Sequence, residues 1–330
     1  MPAQPTTHLL GTQVDLRDLL RLRGDAARFR RRARSTGAPG GSRRTRRHGR
    51  GLEFEEVRAY APTDDARNID WRVTARKGRP HTRVFREERE QPVLFGLDLR
   101  APMAFGTRGR FKRVAAAELF ALHAWAALAD EDRVGAVITT PDGLLSFAPR
   151  RSESTVLQML AAVAQATQRA LPATAVPAGV HPVPPSLDAM LAALDHGARA
   201  GHRCMVISDF HDLTPAGTQR LRELARLGET ACVLVFDPLE AELPPPGRYT
   251  LRSADGGPPL RLDTTDPELR ARHRAAFAAR RATLASLARQ AGVSAHELPV
   301  DAHAAPLGVG ISAGSGAGSD GIRPATARPS

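Results

Sequence analysis

Two carboxylates follow apolar runs that have the composition of buried strands. Asp98 ends the run PVLFGLD, and Asp209 follows the run CMVIS. The carboxyl ends of neighbouring parallel strands meet at one edge of a sheet, so we expect both side chains at the same edge. Such an acidic pair needs a metal ion, a guanidinium group or a helix N-terminus to balance its charge. The alternative is a structural role, in which either Asp caps a helix or forms a turn.

Three enzyme signatures can be tested at Asp98. A haloacid-dehalogenase-like phosphotransferase needs a second Asp two residues after its nucleophile, where this chain has Arg100. A nucleotide-binding fold needs a glycine-rich loop after its first strand, but the segment DLRAPMAFGTRG contains neither GxGxxG nor GxxxxGK[ST]. No hydrolase elbow of the form GxSxG follows this strand either. The absence of all three signatures at this position favours a binding site over an active site.

The elements that must position these carboxylates alternate between apolar runs and helical patterns. Short continuous apolar runs are typical of strands buried on both faces. The order β-α-β-(β)-α-α-β-α-β predicts an α/β fold with a mainly parallel, Rossmann-type sheet and helices on both faces. The predicted elements are strands at 92–98, 133–140, 144–148, 202–210 and 231–237, and helices at 111–129, 153–168, 186–200, 217–228 and 267–291.

The first 90 residues carry most of the positive charge. They hold 22 Lys and Arg against 12 Asp and Glu, whereas the whole chain has a net charge of +12. Apolar residues at helical spacing predict an amphipathic helix from Val14 to Ala33, followed by a flexible Gly/Ser/Arg linker. The arginine cluster at 28–50 is typical of a solvated helix face and linker, with an acidic protein or a nucleic acid as alternative partners. Nucleic acid is disfavoured, because residues 30–50 lack aromatic side chains for base stacking.

The cysteines and the apolar stretches indicate where the protein resides. Cys204 and Cys232 lie inside apolar runs without a CxxC pair, which predicts two buried, reduced thiols. The N-terminus lacks the apolar centre of an export signal. The longest apolar stretch, from Val114 to Ala129, contains Glu118 and His123 and is too short to span a bilayer. These features predict a cytoplasmic protein without a membrane partner.

The segment TDDARNIDWRVTARKG concentrates opposite charges around one tryptophan. Its charged and aromatic residues include Asp64, Asp65, Arg67, Asp70, Trp71 and Arg76. Such density favours a network of ion pairs that fastens a small domain to its neighbour. A recognition surface for a partner is the alternative. A catalytic acid pair is disfavoured, because no His, Ser or Cys nucleophile lies nearby.

The chain contains the text GRGLEFEEVRAYAPTDDARNIDWRVTARKGRPHTRVFREEREQPVLFGLD, followed by FGTRGRFKRVAAAEL. By this text, residues 50–110 resemble a bacterial family, the domain of unknown function 58 (DUF58), in its short form without the membrane helices of longer members. The likeness is ordered along the chain and continues to about residue 240. This family is similar to von Willebrand factor A domains, so the resemblance implies a von Willebrand A-like fold.

The resemblance also implies the location of a metal site. In von Willebrand A domains the first strand ends in D-x-S-x-S, and a later Thr and an Asp after the fourth strand complete a divalent-cation site. Asp98 matches the first Asp of this pattern and Asp209 the last. Arg100 and Pro102 stand at the two Ser positions, and the loop that should supply the Thr offers Ser186. The chain therefore keeps both carboxylates but loses the hydroxyl ligands.

Two carboxylates beside a cation fit Mg²⁺ poorly, because this ion requires oxygen ligands in octahedral geometry. We therefore expect no resident metal or other cofactor, with weak Mg²⁺ binding by Asp98 and Asp209 as the alternative. A guanidinium pairs bidentately with carboxylates, so Arg100 can replace the ion's charge on Asp98 or Asp209. His211, two residues after Asp209, completes this degenerate site.

The resemblance also suggests a function. Family members commonly accompany MoxR-type AAA+ ATPases, which implies a non-enzymatic adaptor or chaperone-like partner of such an ATPase and of a client protein. The alternatives are a metal-dependent hydrolase at the same strand ends and a nucleic-acid binder that uses the N-terminal arginines. The expected divisions are a basic amphipathic helix at 1–35, a flexible linker at 36–50, a family-signature module of short strands at 51–90, a von Willebrand A-like domain at 91–240, a C-terminal extension with a helix at 241–303 and a disordered tail at 304–330.

Overall fold

The predicted apolar runs form a central sheet in the computed structural model. The structure describes residues 9–35, 52–61, 69–87, 92–169, 185–251 and 259–302. The chain divides into two compact units, a smaller one at Ser42–Glu90 and a larger one at Met1–Gly41 and Gln91–Ser330. The predicted linker and tail lie outside the described residues. In chain order the elements are α1 (Leu16–Ser35), β1 (Leu52–Ala59), α2 (Trp71–Lys77), β2 (His81–Glu87), β3 (Val93–Asp98), α3 (Lys112–Ala129), β4 (Val134–Thr140), β5 (Gly143–Arg150), α4 (Glu153–Gln168), α5 (Leu187–Gly197), β6 (Arg203–Ser208), α6 (Pro215–Leu227), β7 (Glu229–Phe236), α7 (Pro238–Ala241), β8 (Arg248–Leu251), β9 (Leu260–Asp263), α8 (Pro267–Ala291) and β10 (Ser294–Pro299).

The sheet of the larger unit has the strand order β10-β7-β6-β3-β4-β5. Counted within this sheet alone, the order is the 3-2-1-4-5-6 arrangement of doubly wound folds. Neighbouring strands are parallel except β5, which returns antiparallel to β4. β3, β4 and β6 are buried along their whole length, as their continuous apolar runs predict. The predicted α/β fold, with a mainly parallel sheet between helices, is confirmed.

Helices cover both faces of this sheet. On one face α1, α3 and α4 pack into a core that includes Phe95 and Ile138 of the sheet. On the other face α5, α6 and α8 pack around Val206 and Leu234. α3 is buried on nearly every side, because α1 packs along it and its many alanines allow close approach. Within the described part of the chain, no helix has the length and apolar character needed to cross a bilayer.

The sheet and its core extend beyond the boundary expected at residue 240. β10 pairs with β7 along its whole length, and α8 buries Phe277, Leu284 and Leu287. α1, expected as a separate basic helix, belongs to the same core through Leu19 and Leu22. The sequence SAHELP of β10 has no strand pattern of its own, so its conformation comes from pairing with β7. The pattern of single segments could not reveal this long-range contact.

A buried ion pair joins the two ends of the larger unit. The Arg110 guanidinium contacts the Glu118 carboxylate at 2.5 Å and donates to the carbonyl oxygens of Val300 at 2.6 Å and Ala302 at 2.5 Å. Glu118 also accepts from the backbone N–H of Leu9 at 2.9 Å. Neither charged side chain has solvent exposure. Such a pair is costly to break, because removal of one partner leaves the other charge buried without compensation.

The smaller unit is built on an antiparallel hairpin of β1 and β2 with a bulge between Phe54 and Glu56. Between these strands, Asp70 begins α2 by accepting hydrogen bonds from two backbone N–H groups at 3.0 and 3.1 Å. Gly78 ends the helix with φ +65°, a conformation that favours glycine. Short strands are predicted here and are present. α2 has no counterpart among the predicted elements, because seven residues are too few for a periodic signal.

The two cysteines are buried free thiols, as predicted. Cys204 lies on β6 and Cys232 on the neighbouring strand β7. Burial raises the pKa of Cys204 to about 12, and burial also raises the pKa of Cys232. Both thiols therefore remain protonated at neutral pH and contribute as small apolar side chains.

A buried histidine should make the fold sensitive to acid. Burial in α3, with a contribution from nearby His296, lowers the pKa of His123 from 6.5 to about 4. As the pH falls from 6.5 to 4, the unfolded chain gains a proton at this position while the folded chain does not. This group therefore lowers the free energy of unfolding by about 3 kcal/mol as the pH falls from 6.5 to 4.

We expect His123→Gln to reduce the loss of unfolding free energy between pH 7 and pH 4, as measured by urea denaturation. His202, whose pKa burial also lowers, will keep part of the pH dependence in the variant. The exposed His196 supplies the control, since His196→Gln should retain the full loss. An unchanged pH dependence in His123→Gln would contradict this assignment.

Candidate functional site

The candidate site lies at the carboxyl ends of β3 and β6, where the strand order of the sheet reverses. Ligands of doubly wound folds bind in the crevice at this point. Asp98 ends β3, Ser208 ends β6 and Asp209 follows it, so the predicted carboxylates lie at the same edge. The Ser208 hydroxyl donates to Asp98 Oδ2 at 2.8 Å, which ties the two strand ends together. Asp98 is 0% exposed and Asp209 is 1% exposed.

Arg100 folds back onto Asp98. Its Nε donates to Asp98 Oδ1 at 2.9 Å and its Nη2 to Oδ2 at 2.8 Å, which is the bidentate geometry of an arginine–carboxylate pair. The Arg100 backbone N–H also donates to Asp98 Oδ1, at 3.0 Å. A short 3₁₀ turn at Ala101–Met103 follows directly, and Pro102 supports its tight backbone. The local sequence thus places a guanidinium over the buried carboxylate.

The outer side of the same guanidinium binds a second carboxylate. Arg100 Nη1 donates to Asp212 Oδ2 at 2.6 Å and Nη2 to Asp212 Oδ1 at 2.8 Å. Nη1 also reaches the carbonyl oxygen of Pro185 at 3.4 Å. The expected contact between Arg100 and Asp98 is therefore present, whereas the alternative contact with Asp209 is replaced by Asp212. All five N–H groups of Arg100 have an acceptor.

The charge state of this cluster follows from its contacts. Burial disfavours a charged Arg100, but hydrogen bonds to Asp212 and Asp98 outweigh it and raise the pKa of Arg100. The hydrogen bonds from Arg100 in turn hold the pKa of Asp212 below its usual value. The Asp212 side chain is 39% exposed, whereas the Asp98 side chain is 1% exposed. Arg100 therefore joins an inner, buried carboxylate to an outer, accessible one.

A second cation neutralises Asp209. Lys112, the first residue of α3, donates from Nζ to Asp209 Oδ2 at 2.7 Å and to Glu240 Oε1 at 3.0 Å. The other oxygen of Asp209 accepts from the backbone N–H of His211 at 3.0 Å. Arg280 of α8 adds a hydrogen bond to the Asp209 carbonyl at 3.2 Å. We call the two clusters together, formed by Asp98, Arg100, Lys112, Asp209, His211 and Asp212, the strand-end rim.

The remaining residues expected at the degenerate metal site have local roles. Pro102 lies in the 3₁₀ turn, and the Ser186 hydroxyl accepts from the Ala189 N–H at 3.2 Å as the N-cap of α5. This hydroxyl therefore caps a helix at the position where the resemblance would place a metal ligand. His211 is exposed, and its Nδ1 lies 3.3 Å from Arg280 Nη2.

The family-signature residues lie in the smaller unit. Outside the described residues are Asp64, Asp65 and Arg67. Asp70 caps α2, Trp71 is 69% exposed and Arg76 is exposed. An ion-pair network is the favoured interpretation of this segment. It stays a prediction, because several of its residues lie outside the described residues.

The oxygens of the rim do not fit a divalent cation. Both Asp98 oxygens accept from Arg100, and one also accepts from Ser208. The Asp209 oxygens accept from Lys112 and a backbone N–H. Mg²⁺ requires several oxygen ligands in octahedral geometry, and positions 100 and 102 supply no side-chain oxygen. In the described ranges, no group of three or more His, Cys, Asp or Glu side chains is placed to hold a metal ion.

Four residues have no counterpart among the predicted site residues: Lys112 and Asp212 of the rim, and Glu240 and Arg280, which contact it. Three of them come from different helices, α3, α7 and α8, so their convergence depends on the packing of distant segments. Asp212 carried a usable signal, because it follows Asp209 and His211 in the loop after a buried strand. Lys112 gave a weaker signal for a site residue, as a lysine at the first position of an alanine-rich helix.

Comparison with known proteins gives three findings. A family model described as "Protein of unknown function DUF58" matches residues 56–283. The uncharacterized proteins Rv1480 of Mycobacterium tuberculosis and Mb1516 of Mycobacterium bovis are each 33% identical over 257 residues, which cover 77% of this chain and 76% of each relative. A crystal structure titled as the conserved hypothetical protein BatB from Bacteroides thetaiotaomicron aligns with a TM-score of 0.35 and 13% identity, covering 63% of this chain and 90% of that one.

The Arg100–Asp98 pair should contribute measurably to stability. Arg100→Met leaves a buried carboxylate without its cation, so we expect the free energy of unfolding to fall by about 3 to 5 kcal/mol in urea denaturation at pH 7. The double variant Asp98→Asn/Arg100→Met should recover part of this loss. Arg248 supplies the control: its pair with Asp263 is exposed, so Arg248→Met should unfold at nearly the same urea concentration as the parent. Equal losses in the two arginine variants would contradict a structural role for Arg100.

The rim should not bind Mg²⁺ with micromolar affinity, because Arg100 and Lys112 already occupy its carboxylates. Titration calorimetry with MgCl₂ measures this directly. Arg100→Ser removes the guanidinium and supplies a hydroxyl oxygen, so this variant should bind Mg²⁺ more tightly than the parent. Micromolar binding by the parent that Asp98→Asn abolishes would show that the metal site is intact.

Proposed function

This chain belongs to the DUF58 family, and from that premise we propose that it is a non-enzymatic, protein-binding adaptor of a MoxR-type AAA+ ATPase. The observation that carries the proposal is the double contact of Arg100 with Asp98 and Asp212. It joins the end of β3 to the loop after β6 and supplies a side-chain cation to both carboxylates. A crevice of this kind offers a fixed, charged surface to a partner.

The chemistry of the rim favours binding over catalysis. Ser208 is fully buried, and its hydroxyl donates to Asp98 and accepts from the Phe210 N–H. Asp98, the carboxylate that accepts from this hydroxyl, is itself paired with Arg100, and among the described residues no histidine hydrogen-bonds to Ser208 as nucleophilic catalysis would require. The buried carboxylates Asp98 and Asp209 each bind a cation, so neither is available as a general base. A GxSxG match at 310–314, GISAG, follows no apolar run of strand length.

The accessible part of the rim, together with Ser186 at the start of α5, has the character of a recognition surface. Ser186, His211 and Asp212 are exposed and lie near the strand ends. Ser186 caps α5, and Asp212 is held by Arg100. Side chains that are fixed before binding lose little conformational entropy on association. We therefore assign these three residues to the partner contact.

The identity of the partner comes from the family resemblance. DUF58 proteins commonly accompany MoxR-type AAA+ ATPases, and on this basis we propose a cytoplasmic complex of this chain with such an ATPase and a client protein. The von Willebrand A-like character of the larger unit belongs to the same proposal. Its support is the 3-2-1-4-5-6 strand order together with carboxylates at the ends of the first and fourth strands of that sheet.

The test is binding of the purified full chain to the purified MoxR-type ATPase encoded in the same genome, measured by biolayer interferometry with and without ATP. We expect specific binding that His211→Ala and Asp212→Ala each weaken by about tenfold or more, as for interface hot spots. The exposed His196 lies on α5 away from the strand ends, and His196→Ala should bind like the parent.

Two other results would replace the adaptor proposal. Turnover of p-nitrophenyl phosphate that requires a divalent metal and disappears in Asp98→Asn would indicate a hydrolase. Tight DNA binding that falls steeply with salt would indicate a nucleic-acid binder. Equal binding of the ATPase by the parent and both rim variants would contradict the assignment of the rim.

A further inference from the structure

The smaller unit exposes a large aromatic side chain. Trp71, the first residue of α2, is 69% exposed. Trp125, the other tryptophan of the chain, is 2% exposed, and its indole N–H donates to the Leu19 carbonyl at 3.0 Å. A tryptophan gains more from burial than most side chains, so its exposure on a small unit indicates a contact surface.

Hydrogen bonds, rather than apolar packing, fix the helix that presents Trp71. None of the seven residues of α2 is buried. Asp70 caps its beginning, and the Asp70 N–H donates to the His81 carbonyl of β2 at 2.8 Å. The Thr74 hydroxyl accepts from the His81 N–H at 3.0 Å. These bonds hold the helix against the hairpin while its outer residues remain accessible.

Four cations lie in this helix or directly after it. Arg72, Arg76, Lys77 and Arg79 are all exposed. In the part of the smaller unit that the structure describes, no salt bridge neutralises any of the four. Arg72 and Arg76 stand four residues apart on one helix, a spacing at which like charges repel. An acidic partner would relieve this repulsion.

We propose that Trp71 and these four cations form a docking site for an acidic segment of a partner protein. Tryptophan and arginine are the residues most enriched at the energetic centres of protein interfaces. In the described part of the smaller unit Trp71 is the exposed aromatic ring, and one ring stacks one base. Nucleic-acid platforms stack successive bases on several rings, so this surface fits an acidic protein better than single-stranded nucleic acid. The site lies in the smaller unit and does not depend on the function proposed for the strand-end rim.

Fluorescence of the full chain tests this site, because Trp71 is accessible and Trp125 is not. The probe is a synthetic glutamate- and leucine-rich peptide without tryptophan. We expect a blue shift of the emission on titration, and an affinity that weakens with salt. Trp71→Phe should abolish the shift and, by fluorescence anisotropy of a labelled peptide, weaken binding about tenfold or more. Arg72→Glu/Arg76→Glu should weaken it similarly.

Matched controls make the outcome decisive. Leu260 is 62% exposed on β9 of the larger unit, and Leu260→Ala should bind the peptide like the parent. Asp212→Ala should also bind it normally, which separates this site from the rim. Equal weakening by Leu260→Ala, or peptide binding that ignores Trp71→Phe, overturns the proposal. An emission change with single-stranded DNA but not with the peptide also overturns it. So does a failure of iodide to quench Trp71 in the free chain, because that result would show that the chain itself covers this side chain.

Discussion

The guanidinium of Arg100, held between the carboxylates of Asp98 and Asp212, is the interaction on which the crevice depends. It joins the end of β3 to the loop after β6, the two strands between which the sheet reverses its order. Through Pro185 it also reaches the segment that leads into α5. A mobile metal ion could make such a bridge only when bound, whereas an arginine makes it whenever the chain is folded. The two strand ends are therefore cross-linked without a ligand.

The rest of the rim follows from the cost of buried charge. Asp209 is as deeply buried as Asp98, and it needs its own cation, which Lys112 supplies from the start of α3. A buried carboxylate without a partner would destabilise the fold by several kcal/mol or take up a proton. With each acid paired inside the protein, the rim leaves only its outer side chains for external contacts. This division into a structural interior and an accessible exterior is what the adaptor proposal rests on.

Much of this arrangement could be predicted from the sequence, because its signals are local. The buried strands are continuous apolar runs, and the contact of Arg100 with Asp98 spans two residues. The pairing of β10 with β7, the contacts of Arg110 with Val300 and Ala302, and the contact of Lys112 with Asp209 could not be predicted, because each joins segments that are distant in the chain. α2 was too short to give a periodic pattern, and the exposure of Trp71 depends on that helix having no apolar cover.

The central claim is that an arginine occupies the position at which a von Willebrand A-like site would hold its metal. Crystals of the full chain soaked in MnCl₂ test it most directly, because anomalous scattering locates Mn²⁺ without ambiguity and Mn²⁺ accepts the same oxygen ligands as Mg²⁺. We predict no anomalous peak near Asp98 and Asp209, with the Arg100 guanidinium in contact with Asp98 and Asp212. A Mn²⁺ peak bound to Asp98, with Arg100 displaced toward solvent, would contradict the account.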